Sequence, residues 1–112
     1  MADDPVAVAA QAAKGFAVLQ CQECAENIKK ALQDTGHQGQ LIRIRGVADR
    51  DFMICFSYDG GKTTITQNGR HVGVGVGDFV FDNLHPTGFP FDDWLKDFDA
   101  PGGIMIESRV DF

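Results

Sequence analysis

The amino-acid sequence predicts an α+β domain, with an N-terminal helix packed on an antiparallel sheet and a second short helix near the C-terminus. Apolar residues Cys21, Cys24, Ala25, Ile28, Ala31 and Leu32 recur at helical spacing between Cys21 and Gln33. From Leu41 onward the texture changes to short β-type runs separated by Gly and Asp turns. At 112 residues the chain supports one hydrophobic core and is too short for two.

Residues 1–14 read as a flexible leader or weak helix, and 15–112 as a single domain. Met1-Ala2-Asp3-Asp4 lacks the basic start of a secretory signal, and Val6 to Ala13 is Ala-rich and interrupted by Gln11. In the helix that follows, Glu23 and Glu26 precede Lys29 and Lys30, which suits the helix dipole, and Gly36 supplies the stop. Strands are expected at Leu41–Arg45, Phe52–Tyr58 and Thr63–Thr66. Arg70 to Asn83 reads as a hairpin around Gly77-Asp78, Phe91 to Phe98 as the second helix, and Gly103 to Val110 as a closing strand. The sheet is then an antiparallel meander.

Composition narrows the function. The chain carries 10 Lys+Arg against 16 Asp+Glu, a net charge of −6, with its basic residues scattered, which argues against nucleic-acid binding. No apolar run reaches the roughly 18 residues of a membrane span. Three cysteines, Cys21, Cys24 and Cys55, are too few for a disulfide scaffold and are expected to be reduced thiols. Gly60-Gly61-Lys62-Thr63 lacks the upstream glycine of a phosphate loop, and Gly73-Val74-Gly75-Val76-Gly77 alternates as a strand. Cys21-Gln22-Glu23-Cys24 has no second pair, and His37, His71 and His85 are not at zinc-finger spacing, so neither a metal nor a cofactor is expected.

A cysteine nucleophile needs a lowered pKa, a base and a group that orients the base. Cys21 opens a helix, whose N-terminal partial charge favours thiolate. In the hairpin, Val72, Val74 and Val76 share a face, as do Phe79 and Phe81, so a two-residue loop pairs Val76 with Phe79 and Val74 with Phe81. That register puts His71 and Asp82 together on the other face with Val80 and turns Asn83 toward the Val/Phe face. Gly73 and Gly75, on the His71 face, leave room for the helix end bearing the thiol to approach.

Leu19-Gln20-Cys21-Gln22-Glu23-Cys24-Ala25, then Asn68-Gly69-Arg70-His71-Val72-Gly73-Val74, then Val80-Phe81-Asp82-Asn83-Leu84-His85-Pro86 resembles the papain fold toxin 2 family of bacterial polymorphic toxin systems. The resemblance runs from about Phe16 to the C-terminus and includes Trp94-Leu95 and Ile106-Glu107. It implies a minimal papain-like fold and a cysteine-dependent hydrolase acting on amide bonds of a protein, as a thiol protease or glutamine deamidase. By carry-over His71 is the base and Asp82 or Asn83 the third residue; papain uses Asn, whereas strand alternation selects Asp82.

Papain places its nucleophile second in a Cys-x-x-Cys, which points to Cys24, but the buried stripe continues better behind Cys21, through Ala25, Ile28 and Leu32. Cys21 is therefore favoured, with Cys24 a packed residue. Gln20 is a candidate oxyanion donor, although its spacing departs from that of papain. His85 reads as structural or substrate-contacting, Cys55 as core and Trp94 as the anchor of the second helix. The resemblance further implies a cognate immunity protein and action in the cytoplasm, including that of a target cell reached by a secreted toxin. So short a papain-like domain is expected to have a shallow site, and its acidity points to a target or inhibitor with a basic surface. A non-catalytic protein-binding module and a Cys-x-x-Cys redox protein are the alternatives.

Overall fold

A computed structural model describes residues 4–112; Met1 to Asp3, part of the expected leader, lie outside the described residues. Pro5–Ala12 forms α1, capped by the Asp4 carboxylate, which accepts from the Val6 N–H at 3.4 Å. Its buried Ala9 and the following Ala13 pack in the core against α2, Cys21–Asp34. The buried residues of α2 are Cys24, Ala25, Ile28 and Leu32, four members of the sequence stripe. Gly36, at φ 78°, ends the helix, and the His37 N–H returns to the Leu32 carbonyl at 2.8 Å.

Five strands form the main antiparallel sheet: β1 (Gln40–Gly46), β3 (Arg70–Val76), β4 (Phe79–Phe81), β5 (Phe89–Pro90) and β7 (Ile104–Asp111), in the order β5-β4-β3-β1-β7. The order is not the expected meander, because the last strand returns to pair with β1. A two-stranded ribbon joins β2 (Ile54–Cys55) to β6 (Phe98–Asp99). Between β5 and β6, α3 spans Phe91–Lys96, so Phe98 belongs to a strand rather than to the second helix.

Two expected strands are mostly loop. Around Met53 the chain lies beside Thr64–Thr66, but threonine hydroxyls replace most of a ladder: Thr64 Oγ1 donates to the Met53 carbonyl (3.1 Å) and Thr66 Oγ1 to the Asp51 carbonyl (2.7 Å). Side-chain bonds of this kind compete with regular pairing, and only Ile54–Cys55 remains as strand.

The sheet is covered on both faces. On one, α1 and α2 pack over Leu41, Val72, Val74, Val76 and Phe81. On the other, Trp94, Phe98, Met53 and Cys55 pack over Ile42, Ile44 and Val80. The β3–β4 register pairs Val74 with Phe81 and Val76 with Phe79, as the alternation of the sequence requires. The glycines act differently from expectation. A Cβ on Gly73 would lie 2.7 Å from Val80 Cγ1 and 2.8 Å from Trp94 Cζ2, so Trp94 of α3, not the thiol-bearing helix, occupies that notch.

Candidate active site

The site forms where the N-terminus of α2 meets the start of β3. Cys21 is the first residue of α2 and is half-buried, and among the described residues no side chain caps that helix end. The first-turn N–H groups therefore remain directed at whatever occupies the space before Cys21. Gln20 directs its Oε1 back to the Ala17 N–H at 2.8 Å, which closes the loop ahead of the helix and leaves only its amide NH2 to serve another oxygen.

His71 and Asp82 meet on the face predicted for them. His71 Nε2 lies 2.8 Å from Asp82 Oδ2, and both side chains are fully buried. Trp94 and Phe98 pack on the imidazole, with ring centroids at 6.2 and 5.0 Å, and keep water from the pair. His71 Nδ1 has no partner that satisfies hydrogen-bond geometry. Yet the thiol that governs the ring's protonation, and is governed by it, is Cys21. The two groups are thus near enough to shift each other's protonation without the alignment of a hydrogen bond, a common state of catalytic pairs without substrate.

The electrostatics of the two groups agree. Burial by itself raises the Cys21 pKa, but the neighbouring His71 imidazole, aided by the Val72 N–H, outweighs it and leaves the thiol below its ordinary value. Burial by itself lowers the His71 pKa, and Asp82 and Cys21 together lift it to about 9. Opposite shifts on the two partners are what a thiolate–imidazolium pair produces. The other thiols lack this. Cys24 is buried, donates to the Ala13 carbonyl at 3.7 Å, and is pushed up to about 12 by desolvation and by the charges of Asp82 and Cys21. Cys55 is also raised, chiefly by burial.

Asp82 is the hub of the cluster. Oδ2 accepts from His71 Nε2 and from Trp94 Nε1 (2.8 Å), and Oδ1 accepts from the N–H groups of Leu84 (2.9 Å) and His85 (2.6 Å) and from His85 Nδ1 (2.8 Å). Burial favours its neutral form, but the two histidines reverse this and hold the carboxyl far below the usual carboxylate range. Asn83 faces the other way. Its Nδ2 donates to the Ala17 and Val18 carbonyls at 2.8 and 2.9 Å, tying the loop before Cys21 to the end of β4.

The family described as papain fold toxin 2 matches residues 6–99. The chain belongs to this papain fold toxin 2 family. The match begins ahead of the segment that carries the sequence resemblance and ends before β7. No curated protein and no solved structure matches the chain. An α+β architecture of helices on an antiparallel sheet is consistent with the papain fold.

Other members of the cluster were not legible as site residues. His85, which the sequence places in a turn, is buried and sits between two carboxylates, with Nε2 2.6 Å from Asp97 Oδ2. The Cys55 thiol, expected only as core, donates to the same oxygen at 3.3 Å. The one local signal was the Asp82-x-x-His85 spacing within a turn. Cys55, His85 and Asp97 bring three metal-ligating atoms within 4.8 Å of one another. Their spacing nevertheless fits hydrogen bonds: ligands about 2.1 Å from a tetrahedral zinc stand roughly 3.4 Å apart, whereas His85 Nε2 and Asp97 Oδ2 are at 2.6 Å.

In front of Cys21 and His71 lies an open cleft of about 390 Å³, lined also by Leu19, Gln22, Arg43, Thr66 and Arg70. Glu107 lies there too, 3.3 Å from Arg70 and 3.7 Å from Arg45, and among the described residues no carboxylate pairs with Arg43. The acidic whole-chain charge thus does not describe the cleft.

Proposed function

We propose that this papain-fold toxin domain is a cysteine-dependent hydrolase that cleaves amide bonds of a protein substrate, as a peptidase or a glutamine deamidase. It would serve as the toxin or toxin-releasing part of a bacterial polymorphic toxin. The observation that carries the reading is the order Cys21, His71, Asp82 in space: a thiol at a helix N-terminus, an imidazole beside it, and a buried carboxylate 2.8 Å behind the imidazole. Family membership supports it independently.

In the proposed reaction His71 already holds the Cys21 proton. The thiolate adds to the substrate carbonyl carbon, and the electron pair of the C=O bond moves onto oxygen. The uncapped first turn of α2, with the Gln20 NH2, offers donors to that oxyanion. Collapse of the tetrahedral species breaks the C–N bond, and the imidazolium of His71 protonates the leaving nitrogen. Water, deprotonated by His71, then attacks the thioester carbon, and the C–S bond breaks to release the acid product and restore the Cys21 thiolate beside the His71 imidazolium. An amine leaves if a main-chain amide is presented and ammonia if a glutamine side chain is. Asp82 keeps the Nε2 proton of His71 in place throughout, while Asn83 holds the loop that carries the nucleophile.

Assignment of the nucleophile to Cys21 over Cys24 rests on burial and on the Cys24 thiol at about 12, far too high for a thiolate at neutral pH. The same value disfavours a Cys21–Cys24 redox couple. A cleft of this size accepts one side chain and its flanking backbone, which leaves wider specificity to a folded protein target. A cognate immunity protein and action in the cytoplasm of a target cell belong to the same proposal. The test is to produce wild type, Cys21→Ala and Cys24→Ala in a bacterial cytosol, follow growth, and look by mass spectrometry for cleaved or deamidated proteins. Growth inhibition and modified proteins that vanish only with Cys21→Ala support the reading. Modification that survives Cys21→Ala contradicts it.

A further inference from the structure

Behind the three residues assigned to the reaction the buried hydrogen bonds continue. Asp82 Oδ1 receives His85 Nδ1 at 2.8 Å, and His85 Nε2 meets Asp97 Oδ2 at 2.6 Å. A neutral imidazole has one N–H and cannot donate to two carboxylates at once. Both distances are those of charge-assisted hydrogen bonds, and between two carboxylates they fit a ring protonated on both nitrogens. Nothing in a minimal Cys/His/Asp arrangement calls for this second histidine.

We propose that His85, held protonated by Asp97, is a positioning residue of the active site: it locks the Asp82 carboxylate toward His71 and tempers that carboxylate's hold on the His71 proton. The proposal rests on the reading of Cys21, His71 and Asp82 as the reacting set.

The chain of groups alternates in charge: Cys21 thiolate, His71 imidazolium, Asp82 carboxylate, His85 imidazolium, Asp97 carboxylate. A buried Asp82 facing His71 alone would bind its proton so tightly that transfer to the leaving nitrogen would suffer, because a general acid works best with a pKa near the working pH. A cation on the far side of Asp82 weakens that hold without moving the carboxylate. Asp97 offsets the cation's own desolvation cost. Each neighbouring element contributes to the setting. Asp82 comes from the turn after β4, Asp97 from the end of α3, and Cys55 of β2, whose Sγ is 3.8 Å from His85 Nε2, donates to Asp97. Ser57 bonds Asp97 as well, and the rings of Phe89 and Phe98 pack on His85 with centroids at 4.4 and 5.6 Å. Burial by itself lowers the His85 pKa, but Asp82, Cys55 and Asp97 lift it to about 10.

The test is the pH profile of Cys21 alkylation by iodoacetamide, read residue by residue by mass spectrometry, for wild type and His85→Asn. Asparagine keeps an N–H for Asp82 Oδ1 but removes the positive charge and the link to Asp97. Wild type should show a lower inflection, where the thiolate forms, and an upper one near 9, where His71 loses its proton. His85→Asn should move the upper inflection up by about one pH unit, the order expected for deleting one charge several ångström away at an effective dielectric of 20–40. An unchanged or lowered inflection in a folded variant overturns the proposal and leaves the catalytic reading standing. If wild type shows no accelerated alkylation of Cys21, the catalytic reading fails and takes the proposal with it. Should His85→Asn not fold, imidazole nitrogen NMR of the wild type decides: both His85 ring nitrogens should stay protonated to about pH 10, and loss of a proton near 6.5 overturns the proposal.

Discussion

Replacing Asp82 by asparagine tests the electrostatic design of the site with almost no change in shape. The carboxylate accepts five N–H groups on two oxygens. Asparagine offers one oxygen and an NH2. If the oxygen takes the Oδ1 position, it keeps the backbone N–H groups of Leu84 and His85 and the His85 ring, and the NH2 faces two donors, His71 Nε2 and Trp94 Nε1. His71 can escape by shifting its proton to Nδ1, which leaves an N–H facing Cys21 where a base is needed. Trp94 Nε1 has no such escape and stays unpaired at about 1–3 kcal/mol. Three remaining bonds lose their charge assistance, so the total cost is about 3–5 kcal/mol. The opposite orientation strands three donors and is worse. Urea unfolding at pH 7 measures the stability change, and alkylation of Cys21 measures the base; catalysis should fall by roughly 10⁴, the penalty for a wrong tautomer behind a catalytic histidine. The pH dependence has a definite sign. Asp82, with its pKa depressed by folding, adds stability above its unfolded value of about 3.9 that is lost as pH falls. His71 and His85, raised to about 9 and about 10, add stability that is complete below about 6.5 and lost as pH rises through those values. Asp82→Asn should therefore flatten the alkaline decline. A variant within about 1 kcal/mol of wild type, with Cys21 still fast, would show that the hub at Asp82 is not what organises the site.

Three further outcomes follow from the same geometry. Trp94→Phe keeps most of the ring packing but removes the 2.8 Å bond to Asp82; it should cost about 1–2 kcal/mol in chemical denaturation and slow Cys21 alkylation. Gly73→Ala would press a methyl group against Val80 Cγ1 and Trp94 Cζ2, 2.7 and 2.8 Å away, and should lower stability by about 1–3 kcal/mol, a cost that Trp94→Phe relieves in part because Cζ2 belongs to the benzo ring that phenylalanine lacks. Asn83→Ala removes both bonds to the Ala17 and Val18 carbonyls, so Cys21 reactivity should drop while the upper inflection of its pH profile stays in place; a shifted inflection would instead make Asn83 the partner of His71.

The helix stripe and the hairpin alternation were enough to place the central features. Cys24, Ala25, Ile28 and Leu32 are the buried face of α2, and Val74 opposite Phe81 fixes the register that brings Asp82 to His71. Both are local periodicities, and local periodicity survives folding wherever a face is buried. What escaped the sequence depends on long-range contacts. Gly73 and Gly75 do mark a close approach, but nothing in β3 says whether a helix end or Trp94, 21 residues beyond Gly73, fills the notch. The Thr63–Thr66 run has strand composition, yet the hydroxyls of Thr64 and Thr66 bond backbone carbonyls across a loop. His85 looked peripheral because its turn is polar, while its second partner, Asp97, arrives from the far end of α3.

Residue-resolved alkylation of the folded, reduced protein at pH 7 tests the central claim most directly, because the three thiols differ so sharply in setting. Activation by His71 predicts that one equivalent of iodoacetamide labels Cys21, that Cys24 and Cys55 remain unlabelled in the native state, and that His71→Ala slows Cys21 to the rate of an ordinary thiol. Equal, slow labelling of all three cysteines, unaffected by His71→Ala, would contradict it.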